Sequence, residues 1–134
     1  MNASELNQHF LSLGDWVDPD NTVDRIIIGD PHKEVRRVLV TWISSMHAVH
    51  QAIGGEFDAL ITHEPTFWRH RNEGEAMDAT EIGRHKKQLI ERSGLVIIPN
   101  HDVWDRMPRI GIPWAWARFL GLGKYFEFGM FEHI

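Results

Sequence analysis

Ala59-Leu60-Ile61-Thr62-His63-Glu64-Pro65 is the stretch that decides the reading of this chain. Its first residues are apolar with no polar alternation, which marks a strand covered on both faces rather than one. Pro65 lacks an N–H and would interrupt a ladder, so the strand stops before it. Leu95-Val96-Ile97-Ile98 reads the same way and is stopped by Pro99 and Asn100. Between the two, Ile82, Leu89 and Ile90 recur at helical spacing and Gly94 closes the helix. Asp78 and Glu81 have the spacing of a capping box for it. Two buried strands joined through a helix are a parallel crossover.

Working outward, Val38-Leu39-Val40-Thr41 is a further strand, and Ile26-Ile27-Ile28 a short one ending at Gly29-Asp30-Pro31. Ser44 or Ser45 caps a helix carrying Met46, Val49 and Ile53, and Gly54-Gly55 ends it. Asn2 and Glu5 cap an N-terminal helix with Leu6, Phe10 and Leu13 on one face. Residues 15–24 and 101–110 read as loops, and 66–78 as a polar stretch with aromatic residues at its start. Pro113 opens a Trp-rich helix, and Tyr125 to Phe131 reads as a last strand. The order α-β-β-α-β-α-β-α-β predicts an α/β fold, with a mostly parallel or mixed sheet flanked by helices. It is expected to form a single domain over residues 1–134.

Composition narrows the function. A length of 134 residues fits one domain, and 43% apolar with 25% charged residues is a globular balance. The formal charge of −5 disfavours a sequence-independent grip on nucleic acid. No apolar run approaches the ~20 residues of a membrane span. Met1-Asn-Ala-Ser-Glu lacks the basic and apolar regions of a signal peptide, so a cytoplasmic location is expected. With nine His and no Cys, transition-metal chemistry here must use imidazole and carboxylate.

Those groups collect at two strand ends. His63 and Glu64 follow one strand, and His101, Asp102 and Asp105 follow the other. Open α/β sheets bind ligands at the carboxyl ends of their strands. If the two strands are neighbours, the groups converge, and that much acid in one cleft calls for a cation. One His-acid pair alone is ordinary turn chemistry. Two pairs at successive strand ends point to Zn, Fe, Mn, Co or Ni.

At these motifs the chain resembles the Nif-three-like dinuclear metal-centre proteins, the type-2 GTP cyclohydrolase I homologues. The family's Thr-His-His-Pro and following aromatic stretch correspond to Thr62-His63-Glu64-Pro65-Thr66-Phe67-Trp68. Its His and Asp four apart correspond to His101-Asp102-Val103-Trp104-Asp105, and its Leu-Gly-Leu to Leu120-Gly121-Leu122. The resemblance spans most of the chain, in the order of the family's first half. It implies His63, Glu64, His101 and Asp105 as ligands of divalent metal ions, one or two per chain, with Asp105 bridging. It further implies metal-assisted hydrolysis of a nucleotide-like or phosphate-bearing small molecule, and a homo-oligomer, a toroidal hexamer in the family.

Two departures matter. Glu64 stands where the family has its second His, and the family's late His-x-x-x-Glu pair has only Glu132 and His133, which are adjacent, to answer it. The chain then corresponds to half of a longer protein, or another subunit completes the site, or the site holds one metal. A non-catalytic, metal-stabilised regulatory or scaffold module is the alternative function. A second alternative is a phosphatase, because Asp30-Pro31-His32 with Asn100-His101-Asp102 resembles metallophosphoesterases, although their central Gly-Asp-x-x-Asp element is missing. Trp68-Arg69-His70-Arg71 reads as a solvated loop or an anion-binding one, and Trp114 and Trp116 as core or interface rather than a stacking platform. His47 and His50, three apart on a helix, have no acid partner in sequence. No dinucleotide turn, Walker loop or nucleophile elbow is present.

Overall fold

In the computed structural model, which describes residues 1–69 and 73–125, the apolar stretch at 59–62 is the centre of the sheet. Strands β1 (Val38–Thr41), β2 (Ala59–Thr62) and β3 (Val96–Pro99) pair in parallel in the order β1-β2-β3. Ala59 lies beside Val38 and Val96, and Thr62 beside Thr41 and Pro99. Every residue of β2 and β3 is buried, as their unbroken apolar character predicts. The expected α/β architecture, a parallel sheet flanked by helices, is what forms.

The pleat divides the core. Leu60 and Ile97 face α2 (Met46–Gly54) and α4 (Glu81–Ser93), packing with Val49, Ala52 and Ile90. Ala59, Ile61, Val96 and Ile98 face the other way, against Ala3, Leu6 and Phe10 of α1 (Ala3–Ser12). Asn2 and Glu5 close the predicted capping box on α1, each accepting from the other's backbone N–H at 2.8 Å. The helix α2 begins at Ser45, whose hydroxyl accepts from Ala48 N at 3.1 Å. Gly94, at φ +67°, ends α4 in the left-handed conformation that glycine tolerates best.

Several local expectations are corrected. Residues 26–28 form no strand; they make one antiparallel bridge, Ile28 to Ile97. The chain leaves that bridge through Gly29 at φ +108°, where a Cβ would lie 2.8 Å from Val96 Cα. Only glycine fits so close an approach. The cap of α4 is Thr80, whose hydroxyl accepts from Gly83 N at 3.0 Å. Asp78 belongs instead to α3 (Glu73–Ala79), unread in the sequence, and pairs with Lys87 at 3.1 Å. A second unread helix, α5 (Asp102–Arg106), occupies part of the expected loop after β3. Pro99 is the last residue of β3 rather than its stop, and Asn100 N continues the ladder to Thr62 O at 2.8 Å. Pro113 sits in the first turn of α6 (Ile112–Phe119), as read. Tyr125 lies in a 3-10 turn, Gly123–Tyr125, and the rest of the expected last strand falls outside the described residues.

Asp58 fastens the amino ends of the strands. Its Oδ2 accepts from Arg36 N and Arg37 N, both at 2.9 Å, and its backbone carbonyl accepts from Val96 N at 3.1 Å. The two N–H donors, then Lys33, hold its carboxyl below the 3.8 of a free aspartate. A depressed folded pKa contributes stability above the unfolded value, and that stability is lost as pH falls through the folded one. Asp58→Ala is therefore expected to cost about 1–3 kcal/mol at pH 7 in urea denaturation. The gap to the wild type should narrow as pH falls below the usual carboxylate range. A gap independent of pH would show that the ionised carboxylate is not what matters.

Candidate metal centre

The parallel register brings His63 and His101 side by side, each just past the end of its strand. Their rings stack with centroids 4.5 Å apart and planes 16° from parallel. Trp42, just past β1, stacks on the other face of His63 at 4.3 Å. The three successive strand ends thus contribute one ring each. Trp42 also fixes the backbone beneath, because its carbonyl accepts from His63 N at 3.1 Å and Glu64 N at 2.8 Å.

Asp105, on α5, reaches a nitrogen of each imidazole. Its Oδ1 is 3.4 Å from His63 Nε2 and its Oδ2 is 3.5 Å from His101 Nδ1. One donor atom from each of His63, His101 and Asp105 falls within 4.8 Å of the others, so this cluster could hold a metal ion. A tetrahedral ion with bonds of 2.0–2.1 Å spaces its ligands roughly 3.4 Å apart. The His63–Asp105 separation already matches that edge. Among the described residues, the buried His63 Nδ1 has no partner within hydrogen-bond geometry.

The charge states of the two rings differ. Burial pushes His63 down, and the neighbouring His101 adds to this against weaker opposition from Asp105. A neutral imidazole is the form that ligates. His101 is raised, first by its hydrogen bond to Asp102 at 3.2 Å. That contact falls on Nδ1, the same nitrogen that faces Asp105, and ties the ring's orientation to the start of α5. Asp102 is held well below the usual carboxylate range, first by His101 and then by Thr22 and the Val23 N–H.

What holds α5 in place is Asp24, from the loop before residue 26. Its Oδ1 accepts from His101 N at 2.6 Å and Asp102 N at 3.1 Å, and its Oδ2 from Val103 N at 2.8 Å. Asp102 returns the grip, accepting from Thr22 Oγ1 at 2.7 Å and Val23 N at 3.1 Å. Asp24 is 1% exposed. Burial drives its pKa up and the three N–H donors pull it down, burial prevailing.

Residues 22–132 match the family described as Duf34/NIF3 (NGG1p interacting factor 3). The chain belongs to the DUF34/NIF3 family. Among its relatives, the GTP cyclohydrolase 1 type 2 homolog of Chlamydia pneumoniae is 25% identical over 130 residues, which are 96% of this chain and 50% of that protein. The homolog of the same name from Chlamydia muridarum is 26% identical over 102 residues, 76% of this chain and 39% of its own. The chain therefore spans about half the length of these NIF3 relatives, or less. Its fold is shared with the protein ybgI, described as of unknown function, at a TM-score of 0.73 and 21% identity, over 90% of this chain and 47% of that one. It is also shared with reduced HcgD from Methanocaldococcus jannaschii, at 0.68 and 20%, over 90% and 47%.

Of the four ligands expected from sequence, three converge. Glu64 is outside the cluster and lines a neighbouring cavity. Asp30 and His32 lie exposed in a turn beyond Gly29, which abuts the amino end of β3, whereas Asn100 follows its carboxyl end. The metallophosphoesterase pairing is not assembled among the described residues. His47 and His50 are exposed on α2, and Glu132 and His133 fall outside the described residues. Asp24, Asp102 as an orienting group and Trp42 were not read as site residues. Only Asp102, adjacent to His101, carried a signal that spacing could have found.

Asp24→Ala leaves three backbone donors at the start of α5 without their acceptor. It is expected to cost about 2–3 kcal/mol in denaturation. It should also shift the His63 and His101 ring resonances in NMR spectra. Unchanged stability and unchanged histidine signals would remove Asp24 from this role.

Proposed function

We propose that this NIF3-family chain is a metal-dependent hydrolase acting on a nucleotide-like or phosphate-bearing small molecule. The convergence of His63, His101 and Asp105 at adjacent strand ends carries the reading. The relatives named GTP cyclohydrolase 1 type 2 homolog support the substrate class. A nitrogen-and-oxygen donor set suits Zn, Fe, Mn, Co or Ni. Bound there, such an ion supplies an activated water and a Lewis acid.

The chain's own residues do the rest. Asp102 orients the His101 ring through Nδ1. Asp105 reaches both imidazoles through separate oxygens and is the bridging carboxylate of the reading. Trp42 shields one face of His63 from water. Three protein ligands leave a position for water or substrate, as in catalytic rather than structural sites. Glu64, one residue from His63, is assigned as the fourth ligand or as the acid facing the substrate. The reading places the protein in the cytoplasm as a homo-oligomer, a hexamer by resemblance. Among the described residues no helix is long and apolar enough to cross a membrane.

A metal-stabilised module without turnover is the competing reading, favoured by the chain's spanning only about half of its relatives. Elemental analysis of the purified protein beside His101→Ala separates them. One or two equivalents of a transition metal in the wild type, at least tenfold less in the variant, and metal-dependent hydrolysis of nucleotide or phosphate-ester substrates support the enzyme. The same metal loss without hydrolysis supports the module. Equal metal in both proteins would overturn the site itself.

A further inference from the structure

The stack of rings at the strand ends is open on one side. Its order, Trp42, His63, His101, follows the strand order β1-β2-β3. His101 ends it on one side, held against Asp102 and Asp105. On the other side β1 is the outer strand, and among the described residues no strand pairs beyond it. The second face of Trp42 therefore looks out past the edge of the sheet. Trp42 is 55% exposed although His63 covers one face of its ring.

A single exposed apolar side chain is ordinary. Trp42 differs in being held and in where it stands. Its indole lies 28° from parallel to the His63 ring, and its carbonyl takes the His63 and Glu64 N–H groups. A ring arriving on the free face thus costs little further side-chain freedom. Val40, 69% exposed, shares Trp42's side of the strand, and Ile43, 48% exposed, follows it, so the border of the face is apolar. The place is the carboxyl edge of a parallel sheet, where such sheets bind their ligands. A ring stacked there has its centre roughly 4.5 Å beyond the indole, which leaves Trp42 and His63 between it and His101. A ribose separates a base from its phosphate by a comparable span.

We propose that the free face of Trp42 is the platform on which the aromatic base of a nucleotide-like ligand stacks, with the phosphate toward His63, His101 and Asp105. Indole takes a flat heteroaromatic ring in an offset stack. Stacking reads ring area rather than a hydrogen-bonding edge, so purines are preferred over pyrimidines. The placement of the phosphate rests on the metal-centre reading above, because Asp102 and Asp105 repel an anion unless a cation lies between. The stacking of the base on Trp42 does not rest on it.

The test follows AMP, CMP, adenosine and ribose 5-phosphate binding to the full chain by ligand-observed NMR. AMP should bind about tenfold more tightly than ribose 5-phosphate, with CMP between them. The adenine H2 and H8 signals should move upfield on binding, as protons over an indole do. Trp42→Leu keeps an apolar cover on His63 and should abolish the upfield shift, bringing AMP within about threefold of ribose 5-phosphate. Trp42→Phe should keep a reduced shift. Adenosine should show the same shift in protein stripped of metal by chelation, so a failed metal centre leaves this arm unaffected. AMP binding indifferent both to metal removal and to His101→Ala would count against the metal centre alone. Should Trp42→Leu fail to fold, Trp42→Phe decides, and an unchanged shift there overturns the platform. No preference for the base, no upfield shift, or a preference that survives Trp42→Leu would overturn it as well. A Trp42→Leu variant that changes the oligomeric state without any base preference in the wild type would give this edge to a second copy of the chain instead.

Discussion

The site depends on one buried carboxylate. Asp24 receives the N–H groups of His101, Asp102 and Val103, the three residues at which the chain turns from β3 into α5. Those donors have no helical partner of their own, because they stand at a helix start. A five-residue helix cannot sustain itself in water, so α5 needs an external anchor. Burying the anion costs desolvation, which three hydrogen bonds and the favourable helix end offset in part. The reciprocal bonds from Thr22 and Val23 to Asp102 lock two loops that are some 80 residues apart in sequence. Asp105 lies one helical turn further on, so its carboxylate inherits its position from Asp24.

The sheet supplies the other half of the geometry. Neighbouring strands run about 4.8 Å apart, and the stacked rings of His63 and His101 are 4.5 Å apart. The ring spacing is therefore the strand spacing carried one step past the ladder. Two imidazoles so close repel when both are protonated. The environment separates them, lowering His63 by burial and raising His101 through Asp102. One acid meets His101 and another reaches both rings, so the cluster could hold a cation.

The sequence made legible whatever depended on local pattern. The apolar runs at 59–62 and 95–98 identified the central strands, and proline and glycine marked their ends. The likeness of their flanking motifs to a known family led to three residues that do converge. Asp24 was hidden because its role is written in backbone donors far along the chain, in one of several acidic loop positions. The helices α3 and α5 were hidden for a related reason. They are short and polar, and tertiary anchoring rather than periodicity makes them helical. Ile26-Ile27-Ile28 misled in the opposite direction, because an apolar run satisfies the core equally well with a single bridge.

Glu64 raises a separate question, since it follows His63 yet lies outside the cluster. The segment beyond it is tied at Thr66 from two sides. Thr66 Oγ1 bonds the buried Ser44 hydroxyl at 3.0 Å, and its carbonyl takes the Lys86 ammonium at 2.7 Å. Ser44 belongs to the loop that also carries Trp42, whose carbonyl holds the His63 and Glu64 N–H groups. One network of backbone and hydroxyl bonds thus fixes both the ring stack and the cavity floor. Cavity and cluster are in this sense two ends of one short stretch of chain, joined at Glu64.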